Sequence, residues 1–196
     1  MSEEARFEVI AAGFSGNQLV AESGLISSDG STRASALRAL ARLHVLSSDT
    51  ISDFLRDEDP EVRRTAVELA APFASVLVHT LIDDQDVFVA EMTAWCLGER
   101  LPIRDEEINI LIDRTTSHAE AVVREACAAA LGSIGDERGL TAILAACADK
   151  PAVRRRAILA LAPFEGDDVD AALTKALDDK DWQVRQNAED LLNPRG

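Results

Sequence analysis

Tyrosine is missing from the 196 residues, and aromatic side chains of all kinds make up only 4%. Strand-built cores lean on β-branched and aromatic runs, so this scarcity argues against a sheet fold. Cations are scarce too: 20 Lys and Arg stand against 35 Asp and Glu, for a formal charge of -15. A nucleic-acid binder needs a basic face that releases phosphate counterions, and an anionic membrane repels the same surplus of carboxylates, so neither is expected as a partner. No run of about 18 uncharged apolar residues occurs, which excludes a spanning helix. No basic, apolar and small-residue succession opens the chain as a signal peptide would, and a cytoplasmic location is expected. The three cysteines, Cys96, Cys127 and Cys147, are odd in number and lack Cys-x-x-Cys or Cys-plus-His spacing. They are expected to be reduced, buried thiols that hold no metal.

What is present is a 47% hydrophobic chain built mainly from Ala, Leu, Val and Ile. That suffices for one domain, 1–196, and its small and unbranched side chains favour helices. The expected fold class is all-α.

One segment recurs six times. It reads S-D-G-S-T-R-A-S-A-L from Ser28, E-D-P-E-V-R-R-T-A-V from Glu58, Q-D-V-F-V-A-E-M-T-A from Gln85, A-E-A-V-V-R-E-A-C-A from Ala119, D-K-P-A-V-R-R-R-A-I from Asp149 and K-D-W-Q-V-R-Q-N-A-E from Lys180. The steps between Thr32, Val62, Val89, Val123, Val153 and Val184 are 30, 27, 34, 30 and 31 residues, the length of one helix pair. An acidic-Pro-x-Val-Arg start suits a helix N-terminus, with Asp29, Asp59, Asp86 and Asp181 able to cap free amides and Pro60 and Pro151 in the first turn. Within each such helix Val62, Ala66 and Ala70, or Val153, Ala157 and Leu161, form the core stripe. Shorter amphipathic segments at about 48–56, 73–82, 105–115, 136–148 and 167–177 are expected to supply the other helix of each pair.

These six segments resemble the HEAT-like repeat family, particularly the short repeats of phycobilin lyase subunits, over about residues 15–193. The resemblance implies an α-α superhelix of about six helix pairs, with residues 1–14 as an additional capping helix that gives the stack a polar end. It also implies that the arginine column, Arg33, Arg63, Arg124, Arg154 and Arg185, pairs with acids of the neighbouring turn. The acids expected to complete this ladder are Asp29, Asp59, Asp86, Asp181 and Glu120, because a guanidinium suits a carboxylate in register. An anion site built on the same arginines is the weaker reading. Ala90 breaks the column.

Three columns four and three residues apart share one helix face. They are polar in the first, second and sixth repeats: Ser31, Ser35, Arg38; Glu61, Thr65, Glu68; Gln183, Asn187, Asp190. In the third they hold Phe88, Met92 and Trp95, in the fourth Val122, Ala126 and Ala129, and in the fifth Ala152, Arg156 and Leu159. In HEAT-like solenoids this helix lines the concave surface, so Phe88, Met92, Trp95, Val122, Ala126 and Leu159 are candidate partner-binding residues. The competing reading makes them core, with the 98–104 loop and its Leu101 folded over Trp95. Trp182 is expected to seal the connection to the helix before it.

Catalysis finds no constellation. His44, His79 and His118 lie in different repeats, read as solvated or capping residues, and none precedes a glutamate. The His-Glu pairs with which HEAT-like deoxyhypusine hydroxylases hold iron are therefore absent, and the charge argues against a HEAT-like DNA glycosylase. The acidic turns Asp83, Asp84, Asp86 and Asp178, Asp179, Asp181 read as capping and solubilising groups. The function expected is a non-catalytic scaffold or adaptor, without cofactor, that holds a basic protein or peptide on its concave face. The alternative is an accessory or chaperone like the phycobilin lyase subunits, acting on a carrier protein or apolar ligand. A homodimer through the same strip is a further option.

Overall fold

The structure is a computed structural model describing residues 3–100 and 102–193; Leu101 lies outside the described residues. Twelve α-helices and no strand occur among the described residues, and none of these helices is long and apolar enough to cross a membrane. They group into two compact units, 1–96 and 97–196.

The first unit holds α1 (Glu3–Ser15), α2 (Gln18–Gly24), α3 (Gly30–Arg42), α4 (Ser48–Phe54), α5 (Pro60–Leu69) and most of α6 (Val87–Gly98). The second holds the end of α6, then α7 (Asp105–Ser117), α8 (Ala121–Ile134), α9 (Leu140–Ala146), α10 (Pro151–Ala160), α11 (Asp167–Ala176) and α12 (Trp182–Leu192). In the first unit α1, α3 and α5 pack side by side, with α2 on α3 and α4 on α5. In the second α8, α10 and α12 make the corresponding layer, flanked by α7, α9 and α11.

The repeated helices start where their sequence stops them from starting earlier. Asp29, Asp59 and Asp181 turn their carboxylates onto the amides of Thr32, Glu61 and Gln183. Each such cap contributes about 1 kcal/mol. Pro60 and Pro151 occupy first-turn positions whose amide has no helical acceptor. Val62, Ala66 and Ala70, like Val153, Ala157 and Leu161, are buried along one stripe. Small residues set the spacing between neighbours: a Cβ on Gly13 would lie 2.9 Å from the Ala39 backbone, and one on Gly132 2.6 Å from that of Ala160.

Two elements differ from expectation. Over 73–82 only a 3-10 turn forms, Val78–Leu81, and it buries His79, a residue the sequence reads as solvated or capping. Before it the chain turns instead, the Phe73 amide donating to the Ala70 carbonyl and the Val76 amide to that of Phe73. The capping segment falls on α1, whose outer face is not polar: Phe7 and Phe14 stand 71% and 72% exposed.

Candidate functional site

The arginine column forms rungs, but not with the acids the sequence suggests. In the first unit Arg33 donates Nε and Nη2 to the two oxygens of Asp57 at 2.8 and 2.6 Å, and Arg63 grips Asp84 in the same way at 2.8 and 2.7 Å. In the second, Arg124 holds Asp149 at 2.6 and 2.9 Å and Arg154 holds Asp179 at 2.8 and 2.7 Å. The third donor, Nη1, closes the arginine's own turn onto a carbonyl five or six residues back: Ser27, Asp57, His118, Asp149 and, for Arg185, Asp179.

Asp29, Asp59, Asp86 and Asp181 are occupied as helix caps, which is why they do not complete those rungs. Asp181 also accepts from an arginine, but from Arg155 beside the column. Glu120 serves as the N-cap residue of α8. Asp84 and Asp179 are therefore cross-repeat partners rather than solubilising groups. The acid that pairs stands two residues before the cap at Asp57, Asp84 and Asp179, and one before it at Asp149. In the first repeat the place belongs to Ser27, and after Ala90 it belongs to His118, whose Nδ1 accepts the Glu120 amide.

Protonation follows these contacts. Burial pushes the carboxyls of Asp57 and Asp84 up, and the guanidinium forks of Arg33 and Arg63 outweigh it, leaving both below the ordinary aspartate value. For Asp149 and Asp179 the fork is the larger influence, with the same net direction.

The three face columns separate on inspection. Ser31 donates to Glu61 at 2.9 Å and Arg38 meets Glu68 at 3.4 Å, so the outer two columns touch across α3 and α5. On these two helices the middle column does not lie on the surface: Ser35 and Thr65 are buried between the contacts of the outer columns. On α6 the same pattern leaves Met92 half-buried, with Phe88 56% and Trp95 44% exposed. Phe88 shares a shallow recess of about 340 Å³ with Pro60, Glu61, Arg64 and Asp86. In the second unit Val122 and Ala126 are half-buried on α8, Leu159 on α10 is 43% exposed, and Arg156 approaches Glu125 at 3.7 Å. Trp182 seals nothing: it is 65% exposed.

Two features escape the repeat pattern. Glu107, buried at the start of α7, receives Arg100 at 3.0 Å and Arg104 at 2.5 Å, while its other oxygen accepts the Arg104 amide. Its position three residues into the helix is the sequence signal that could have disclosed it. Burial raises its carboxyl and the two arginines more than offset that, holding it below the usual glutamate range. Cys147 lines a groove of about 740 Å³ beside α11, with Lys175 across from it; Cys96 and Cys127 are fully buried.

A family description of HEAT repeats matches residues 108–193. These residues are HEAT-like repeats. Solved structures extend the likeness in fold to almost all of this HEAT-like chain. The Escherichia coli protein YibA superposes with a TM-score of 0.71 at 18% identity, covering 98% of this chain and 75% of that one. A designed armadillo repeat protein in complex with the peptide (KR)4 gives 0.57 at 18% identity, covering 97% and 98%. Human deoxyhypusine hydroxylase in complex with glycerol gives 0.50 at 18%, covering 96% and 77%. No curated protein matches the HEAT-like chain.

Proposed function

We propose that this HEAT-like protein is a non-catalytic scaffold that holds a basic segment of a partner protein against α6, anchored on Phe88 and Trp95 with Met92 between them. One juxtaposition carries the reading. The exposed ring of Phe88 shares its recess with the carboxylates of Glu61 and Asp86, so an aromatic face and two negative charges border the same space. That combination suits a Lys or Arg side chain, through cation–π attraction and charge-assisted hydrogen bonds together. Arg64 lines the recess too, and an incoming cation displaces it toward solvent. Trp95, two turns further along α6, offers the large rigid surface typical of a binding anchor. Val122, Ala126 and Leu159 are the candidate contact residues of the second unit, taken by itself. The armadillo neighbour solved with (KR)4 holds a peptide of the chemistry proposed here.

A fluorescently labelled (Lys-Arg)4 peptide tests this directly, with an oligoglutamate peptide as control. Phe88→Ala and Trp95→Ala are each expected to weaken capture by roughly 2 kcal/mol, and added salt to weaken it further. Unchanged affinity in the double variant, or equal binding of the acidic control, overturns the proposal.

A further inference from the structure

The outer face of α1 is an apolar stripe with charges of opposite sign at its two ends. Val9, Ala12 and Gly13 face inward and are buried, while Phe7, Ile10 and Phe14 project from the opposite side of the helix. Phe7 and Phe14 are two turns apart, about 10 Å along the axis, with Ile10 and the exposed Ala11 midway. Beyond Phe7, at the N-terminal end, stand the exposed carboxylates of Glu3 and Glu4. At the other end Arg42, reaching from the end of α3, places its guanidinium 4.0 Å from the centre of the Phe14 ring.

We infer that this stripe is a self-association surface, on which a second copy of the chain lays its own α1 antiparallel about a two-fold axis passing beside Ile10 and Ala11. The arrangement is self-complementary only in that sense. An antiparallel partner sets Phe7 against the other copy's Phe14, brings Arg42 of each copy to Glu3 and Glu4 of the other, and uses the small Ala11 at the crossing to let the helices approach. A parallel pairing stacks like charges at both ends. The corresponding outermost helix of the second unit, α12, exposes Gln183, Arg185, Glu189 and Asp190 instead. A self-complementary face closes a dimer rather than propagating a head-to-tail filament. Carboxylates at the stripe also disfavour an anionic bilayer as the occupant. One helix face is a small interface, so the dimer forms at roughly micromolar concentrations.

Sedimentation velocity of the full chain over a concentration series reads the outcome. The average mass is expected to rise from the 21.1 kDa of the monomer toward twice that value. Phe7→Glu with Phe14→Glu abolishes the rise, and circular dichroism melts of this exposed-site variant stay at the wild-type temperature. Arg42→Glu weakens association at least fivefold, and adding Glu3→Arg and Glu4→Arg to it restores association. Ala11→Cys, beside the proposed axis, forms an intermolecular disulfide on mild oxidation. A chain that stays monomeric throughout overturns the inference, whether or not it then floats with phosphatidylcholine vesicles. So does a dimer indifferent to the two phenylalanine changes. Failure of the charge swap to restore association overturns the antiparallel register. The peptide-capture experiment on α6 is independent of all these readouts.

Discussion

Asp57 accepts both prongs of the Arg33 guanidinium, donated from 24 residues earlier, while one of the same oxygens takes the amide of Asp59 at 2.9 Å. A single carboxylate thus ties the preceding repeat to the turn that starts the next helix. Both side chains are almost wholly removed from solvent. Removing one member of such a pair leaves an uncompensated charge, so Asp57→Ala is expected to cost about 3 kcal/mol in urea unfolding. Replacing both, Arg33→Met with Asp57→Leu, should recover much of that loss, because no buried charge is then stranded. Asp149→Ala, at a more open rung, is expected to cost less.

Acid should weaken the rungs together. Asp57, Asp84, Asp149 and Asp179 are all held below the ordinary aspartate value of 3.8 in the folded state. A depressed carboxylate contributes stability that is complete above its unfolded value and drains away as pH falls through its folded value. Chemical unfolding is therefore expected to show a plateau from neutrality down to about pH 5 and a steep decline below about pH 4. In Arg33→Met with Asp57→Leu the decline should be shallower, since one of the four groups no longer titrates.

The repeat itself was legible: the Val62, Ala66, Ala70 stripe, its equivalents and the Asp caps placed the six repeated helices α3, α5, α6, α8, α10 and α12. The rungs were legible only by half. Arginine recurs in a fixed column, but every turn offers two or three acids, and spacing alone does not say that the cap position is already committed to backbone amides. The telling signal is internal: an aspartate precedes the cap where the previous repeat carries the arginine, Ser27 appears where no arginine column precedes, and His118 follows Ala90. The surface was read too broadly on α3 and α5, where the middle-column residues Ser35 and Thr65 are buried by close helix packing. Glu107 lay outside the repeat alignment and so outside the reading.

Glu107 bonds both Arg100 and Arg104, and its carboxylate and the Arg100 guanidinium are almost wholly removed from solvent. Glu107→Ala is expected to destabilise the second unit by roughly 3–5 kcal/mol, and Glu107→Gln by less, because the amide oxygen still accepts from the Arg104 backbone. Proteolysis of the 97–196 half, followed by mass spectrometry, reports the effect locally.

Burial pushes the Cys147 thiol up to about 11, with Lys175 acting weakly in the other direction. Thiolate is the reactive form, so labelling by iodoacetamide is expected to be slow at neutral pH and to accelerate toward pH 10. Lys175→Ala should slow it slightly further. Labelling at the rate of a free thiol would contradict the burial.

Trp95→Ala should move the unfolding midpoint little, within ~0.5 kcal/mol, because nearly half of the side chain already faces solvent. A thermal melt beside the peptide titration separates loss of a contact surface from loss of the fold.

Each complete rung exports a guanidinium and imports a carboxylate, with the same two atoms meeting the same two atoms at every joint. A stretch from one cap to the next is therefore a cassette with matched male and female connectors. Duplicating one, such as the residues from Asp59 to Gln85, lengthens the protein without any new joinery, whereas a splice at Ala90 meets a plain end. Growth by tandem copying is thereby easier on either side of that plain end than across it.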